Sequence, residues 1–147
     1  MGTISKNFSY FEFEASAKAK EKRIDNTIKS YDVRDSIKNF TINLLQPLRD
    51  WAEASLNISS GYRCPELNKL VGGSATSQHV KGEAADVWCP VKTPYQLARA
   101  VIELGLEFDQ MILYPGFVHL SYKLSGKQRM QILYNKSYRG KSVTCKK

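Results

Sequence analysis

Residues 77–86 read Ser-Gln-His-Val-Lys-Gly-Glu-Ala-Ala-Asp, and this stretch is the most informative part of the 147-residue chain. It follows a loop over 72–77 that is rich in glycine and serine. Gly82 then lets the chain turn before a short apolar strand over 84–89. Asp86 is therefore an acid inside an otherwise apolar strand, which makes it a candidate functional residue.

The chain has only two histidines, and both belong to this pattern. His79 lies where the loop ends, and His119 lies in a second strand-like segment over 117–121 that reads Phe-Val-His-Leu-Ser. Two imidazoles and one carboxylate are a ligand set that zinc accepts, with a fourth position left for water. Because zinc lowers the pKa of such a water toward about 7, the pattern predicts hydrolysis of a peptide or amide. Singly, each residue could be an ordinary surface or core side chain, but their combination favours the zinc site.

The segments around this pattern predict an α+β domain. Helices are predicted from Ser9 to Arg23 with a Ser9–Glu12 capping box, from Val33 to Trp51 with a kink near Asn43 caused by Pro47, and from Thr93 to Gly105. Strands are predicted at 56–63, 84–89, 108–113 and 117–123, the last two as an antiparallel hairpin. This order indicates N-terminal helices packed on a small antiparallel sheet. Without an internal repeat or a linker, we expect a single domain over residues 1–147.

Composition excludes several classes of protein. The chain is 42% hydrophobic and 24% charged, which is typical of a globular domain. No apolar run approaches the roughly 18 residues of a membrane span, and the N-terminus lacks the apolar core of a signal peptide. We therefore expect no membrane span and synthesis in the cytoplasm. Cys64, Cys89 and Cys145 are an odd count at irregular spacing, so we expect reduced thiols and assign them no role.

The net charge of +8 is concentrated in the C-terminal segment 123–147. No acidic residue follows Asp109, whereas eight lysines and arginines lie in that segment. Its field would attract an anionic cell-wall polymer or a nucleic acid, unless the segment is simply solvated. Since no nucleic-acid motif is present, nucleic acid is the partner we least expect.

Further motifs accompany the pattern: Ser60-Gly61-Tyr62-Arg63, then Pro65, Asn68 and Val71-Gly72-Gly73, and finally Phe117-Val118-His119. With residues 77–86 they resemble the zinc D-alanyl-D-alanine carboxypeptidase-like peptidases, whose fold is shared with the hedgehog signalling domain. The resemblance covers about residues 8–122. It implies this hedgehog/DD-peptidase fold and a Zn²⁺ ion held by His79, Asp86 and His119. It also implies that Arg63 holds the substrate or stabilises an oxyanion, a role that suits a permanently charged fork.

The chain departs from the family pattern at the general base. Many relatives have Glu or Asp three residues before the last histidine, where this chain has Gly116. A catalytic carboxylate must come within about one hydrogen bond of the attacking water, so Asp109 on the preceding strand is our leading candidate and Glu83 is the second. Ser77 and Gln78, which precede the first histidine, are further candidates for binding substrate together with the family arginine.

The resemblance implies a zinc metallopeptidase that cuts a peptidoglycan stem peptide near a D-amino acid, either D-Ala-D-Ala carboxypeptidase-like or L-Ala-D-Glu endopeptidase-like. The small size and the missing export signal resemble a phage or prophage endolysin, which is made in the cytoplasm and reaches the wall after release. We expect a monomer. The alternative is a zinc-bearing but non-catalytic binding or virion protein, in which Gly116 marks the loss of a catalytic acid.

Overall fold

A computed structural model describes residues 2–144 of the chain. Cys145, Lys146 and Lys147, which belong to the cysteine set and to the basic segment, lie outside the described residues. The elements run in the order β1 (Thr3–Ser5), β2 (Phe8–Ser9), α1 (Tyr10–Glu14), α2 (Ala17–Glu21), α3 (Tyr31–Phe40), a π-helical turn (Thr41–Leu45), α4 (Gln46–Ala52), β3 (Asn57–Ser60), α5 (Pro65–Leu70), α6 (Gln78–Lys81), β4 (Ala84–Trp88), α7 (Pro94–Glu103), β5 (Gln110–Leu113), β6 (Val118–Ser121) and β7 (Gln131–Tyr134).

The main sheet has the strand order β3-β4-β6-β5-β7, and β1 pairs with β2 in a separate small ladder. Strands β3 to β6 are antiparallel neighbours, as predicted. The expectation of a wholly antiparallel sheet is wrong at one edge, because β7 joins β5 in parallel. The basic segment therefore contains a strand that we did not predict. Its Gln-Ile-Leu-Tyr sequence is short and mostly exposed, and only the pairing with β5 makes it a strand.

The N-terminal helix predicted from Ser9 to Arg23 is two short helices. The capping box forms at the start of α1, where the Ser9 N–H donates to Glu12 Oε1 at 2.9 Å. The helix ends at Glu14, because the next residue, Ala15, has an extended backbone with ψ 127°. Ser16 then begins α2, and its hydroxyl accepts the Ala19 N–H at 3.1 Å. Ser16 competes for the backbone and favours a new helix start over continuation.

The kink predicted near Asn43 is a π-helical turn that joins α3 to α4. Pro47 has no N–H to donate one turn back, and the wider turn accommodates that loss. The helical run continues through the turn, so its apolar side chains stay on one face. Leu44, Leu45 and Leu48 have no exposed surface. They belong to the core cluster that lies between the helices and the sheet.

Helix α7 has the predicted bounds. The Thr93 hydroxyl accepts the Gln96 N–H at 3.2 Å, and the Gln96 side chain accepts the Thr93 N–H at 2.9 Å. The helix ends at Glu103, shortly before Gly105, and packs on β5 and β6. Among residues 2–144, every helix is too short or too polar to span a lipid bilayer.

Candidate metal centre

His79 is buried, and its ring orientation is set by the backbone. The sequence places it at a loop end, whereas the structure places it in α6, a single helical turn that Ser77 caps by accepting the His79 N–H at 3.2 Å. Its Nδ1 lies 2.8 Å from the carbonyl oxygen of Gly61. A carbonyl only accepts, so Nδ1 carries the proton and, in the neutral ring, Nε2 presents a lone pair. That Nε2 faces Asp86.

Strand register brings Asp86 and His119 together. They lie directly opposite each other in the antiparallel β4–β6 pair. Asp86 Oδ1 is 2.9 Å from Nδ1 of His119 and 3.5 Å from Nε2 of His79. Burial raises the pKa of Asp86, but hydrogen bonds from the two imidazoles and their charge lower it by a larger amount. The pKa therefore lies well below the ordinary value, and the group is ionised.

The geometry fits a zinc ion. The three ligand atoms of His79, Asp86 and His119 lie within 4.8 Å of one another. A tetrahedral ion with bonds of about 2.0–2.2 Å would hold ligand atoms about 3.3–3.6 Å apart, and Asp86 Oδ1 lies 3.5 Å from His79 Nε2 and 2.9 Å from His119 Nδ1. The lone pair of His79 Nε2 faces a carboxylate oxygen, and a cation between the two electron-rich atoms removes their repulsion. The Gly61 carbonyl orients His79 from behind, in the manner usual for histidine ligands.

Arg63 follows β3 and its guanidinium is fixed by polar neighbours. Its Nη1 donates to Asn68 Oδ1 at 3.1 Å and its Nε contacts Ser60 Oγ at 3.3 Å. Its backbone N–H also donates to the carbonyl of His79 at 3.2 Å, which links the arginine to the histidine helix. Arg63 thus reaches the centre as a fixed cation.

The three ligands and Arg63 line one open cleft of about 470 Å³. The remaining lining residues are Gly73, Ser74, Thr76, Ser77, Gln78, Gln110, Ile112, Tyr114 and Arg129. The cleft therefore combines a metal-binding set with hydroxyl, amide and guanidinium donors. Such a cleft suits an extended polar ligand with negative charge.

Ser77 and Gln78 line the cleft, as a substrate-binding role requires, but both also have structural contacts. The Gln78 amide Nε2 donates to Glu83 Oε1 at 3.2 Å and to Asp109 Oδ2 at 3.0 Å. Glu83 Oε2 in turn accepts the Leu124 N–H at 3.1 Å. The second candidate for the general base is therefore held by two donors and lies behind Gln78.

Asp109, the leading candidate for the general base, is not among the residues that line the cleft. Its side chain is 1% exposed and forms an ion pair with Arg129 at 2.7 Å. Burial raises its pKa, but hydrogen bonds and the charge of Arg129, with a further hydrogen bond from Gln78, bring the pKa below the ordinary value. A carboxylate in this state accepts a proton poorly, and its role as the base stays a prediction.

Sequence reasoning missed Tyr114 and Arg129, which both line the cleft. Tyr114 was recoverable, because Ile112 lies opposite His119 and strand alternation carries the same face to position 114. Gly116 lies in the turn after it, and a side chain there would meet only open space. Arg129 gave no comparable signal, since it lies in a loop of the basic segment.

A donor set with one buried and two partly buried members beside an open cleft is typical of catalytic rather than structural metal centres, which close all their positions. The Peptidase M15 family profile matches residues 6–121, most of the chain. The chain therefore belongs to the Peptidase M15 family, whose members are zinc-dependent metallopeptidases. Zinc is accordingly the cofactor for which His79, Asp86 and His119 form the site. No curated protein matches the chain.

Proposed function

We propose that this protein hydrolyses a peptidoglycan stem peptide near a D-amino acid, with D-Ala-D-Ala carboxypeptidase-like or L-Ala-D-Glu endopeptidase-like specificity. One observation carries the proposal: His79, Asp86 and His119 converge at a cleft that Arg63 also lines. Stem peptides are short, extended and carry free carboxylates. An open cleft with fixed guanidinium groups suits such a substrate.

Bound by the two histidines and Asp86, zinc would supply a Lewis acid that polarises the scissile carbonyl and lowers the pKa of water. The protein residues position the peptide around it. Arg63 holds a substrate carboxylate or stabilises negative charge that develops on the carbonyl oxygen, since its guanidinium is already fixed by Asn68 and Ser60. Gln110 at the start of β5 and Tyr114 directly after β5 offer an amide and a phenol to the peptide backbone.

We propose further that the protein is a phage or prophage endolysin, which reaches the wall after release from the cytoplasm. The basic residues of segment 123–147 support it, because a positive surface concentrates the enzyme on anionic wall polymers. Several of these side chains are exposed, Lys127, Lys136 and Arg139 among them. High salt screens this charge, so activity on intact walls should fall more steeply with salt than activity on short soluble peptides.

A second candidate is a zinc-bearing binding or virion protein of the same fold. Among the described residues that line the cleft, Asp86 is the only carboxylic acid, and it belongs to the metal-binding set. Glu83 and Asp109 are occupied by other donors. A site without a free acid would still bind a peptide in the same cleft.

The deciding experiment incubates the zinc-loaded protein with a stem pentapeptide and identifies the products by mass spectrometry. We expect release of D-Ala or of a new amino terminus that stops with a chelator and returns with added zinc. The His119→Ala variant should be inactive, whereas Lys38→Ala, which changes an exposed side chain of α3 outside the cleft, should be fully active. Full zinc occupancy and peptide binding without any product would reject the enzyme and leave the binding protein.

A further inference from the structure

Arg129 lies outside the part of the chain that matches the family profile, yet its side chain lines the cleft. It belongs to the segment between β6 and β7, which the pairing of β7 with β5 holds against the sheet. About half of the side chain, 51%, is exposed. The arginine is thus fixed at one end and open to the cleft at the other.

Asp109 holds this arginine through several contacts. Asp109 Oδ1 accepts the Arg129 backbone N–H at 2.8 Å, and Nε of the guanidinium lies 3.2 Å from Oδ1 and 3.1 Å from Oδ2. Nη2 donates to Oδ2 at 2.7 Å. These contacts use the Nε side of the fork, and a guanidinium has more N–H groups than this pair engages. Because the fork is already ordered, binding a further carboxylate costs little side-chain entropy.

Of the two cleft arginines, Arg63 lies beside strand β3 and Arg129 beside strand β5. Arg129 lies at the Gln110 end, since its backbone and side chain bind Asp109. Arg63 lies beside β3: its Nε contacts Ser60 Oγ, and Ser60 lies opposite Asp86 in the β3–β4 pair. Strands β3 and β5 are three strand spacings apart in the main sheet, about 14 Å.

The metal-binding set lies between the two arginines. Asp86 lies on β4 and His119 on β6, the two strands between β3 and β5, and these two residues pair with each other. An extended peptide that crosses these strands from β3 to β5 would therefore pass one guanidinium, then the metal ligands, then the other guanidinium.

We propose that Arg129 is a second carboxylate-binding residue, positioned by Asp109, and that the cleft selects peptides with an acidic group on each side of the bond that is cut. This rests on the proposed peptidase function and narrows its substrate class. Asp109 is then a positioning residue. Its negative charge offsets part of the long-range field of Arg129 but leaves the directed N–H donors available at short range.

The first test measures binding without turnover. Calorimetry on the zinc-free full chain compares two pentapeptides, L-Ala-γ-D-Glu-L-Lys-D-Ala-D-Ala with the D-Glu α-carboxylate free or amidated. We expect the free acid to bind about ten- to a hundredfold more tightly than the amide. This is the affinity that one hydrogen-bonded contact between charged groups contributes. Arg129→Gln should abolish this preference and Arg129→Lys should restore part of it. Lys127→Gln, which removes a nearby exposed charge, should keep it.

The second test measures hydrolysis of the same two peptides by the zinc-loaded protein. Arg129→Gln should raise KM for the free acid about tenfold or more and leave the amidated peptide unchanged. Asp109→Asn should do the same with kcat nearly constant. A hundredfold lower kcat at constant KM would instead make Asp109 the general base. Equal binding of the two peptides, no binding, or a preference that survives in Arg129→Gln would overturn the inference. Binding with the expected preference but without hydrolysis would reject only the peptidase function.

Discussion

At the scale of single residues, Asp109 shows how burial changes what an acid can do. A lone carboxylate in the interior costs several kcal/mol unless donors surround it. Asp109 receives donors from Arg129 and from Gln78, so the charge is tolerated and its proton affinity falls. The spacing that suggested a base from the sequence carries no information about these two donors.

The same contacts predict how stability depends on pH. The folded-state pKa of Asp109 is lowered, so its pair with Arg129 stabilises the fold above the unfolded pKa of about 3.9 and is lost as pH falls through the lower folded pKa. We expect Asp109→Asn to reduce the free energy of unfolding by about 2 kcal/mol at pH 7. In urea titrations this difference should persist to about pH 5 and shrink below about pH 4.

Glu103→Gln is the matched control for this titration. It breaks an exposed pair with Arg99 at 3.4 Å on helix α7, and exposed pairs contribute at most about 1 kcal/mol. Its effect should therefore be small at every pH. A pH-independent difference for Asp109→Asn would show that the lost stability arises from packing rather than from the ionised pair.

At the scale of elements, the turn between α6 and β4 sets the distance from His79 to Asp86. Gly82 makes this turn with φ +75° and also lies against α3. A Cβ at this position would be 2.8 Å from the carbonyl oxygen of Val33 and 2.9 Å from Cγ1 of Ile37. Both the left-handed backbone and the close approach therefore require glycine.

Gly82→Ala separates these two requirements when it is compared with Gly105→Ala. Gly105 has φ +71°, but a Cβ there meets nothing within 4 Å. We expect Gly105→Ala to cost about 1 kcal/mol from backbone strain alone, and Gly82→Ala to cost about 2–4 kcal/mol because α3 must also move. Chemical denaturation measures both, and zinc affinity should fall only for Gly82→Ala. Equal losses of unfolding free energy in the two variants would mean that α3 moves away from the new Cβ without a free-energy cost.

At the scale of the whole molecule, the metal centre joins parts of the chain that are far apart in sequence. His79 comes from α6, Asp86 from β4 and His119 from β6, and the last two lie in the middle of the main sheet. An ion that binds all three therefore binds only the folded chain. Binding of this kind stabilises the fold in proportion to the logarithm of the free ion concentration.

Zinc should accordingly raise the thermal midpoint. At a free concentration about a hundred times Kd, the stabilisation is about 2.7 kcal/mol, which corresponds to about 5–10 °C for a domain of this size. Differential scanning calorimetry of the metal-free and zinc-loaded protein measures the shift. Asp86→Asn should lose most of it, while Asn57→Asp, at the edge strand β3, should retain it. An unchanged midpoint in the wild type would argue against zinc binding by these residues.

The sequence by itself determined the local features of this protein. The capping boxes at Ser9 and Thr93 depend on neighbouring residues, and the structure confirms them; a π-helical turn lies where the kink was predicted. The metal-binding triad was also accessible, because histidine is rare in this chain and an acid inside an apolar strand is conspicuous. The capping signals depend on residues within a few positions of each other, where backbone geometry alone sets their contacts, whereas the triad joins distant positions and was recognised by residue type.

Only the tertiary structure decided which distant side chains share the cleft. The parallel pairing of β7 with β5 secures the loop that carries Arg129, and burial turns Asp109 from an apparent cleft acid into the partner of that arginine. Neither is encoded by a short motif, because both depend on sheet register and on the exclusion of water from one carboxylate. Charge, burial and register act together here, and they exist only once the chain has folded.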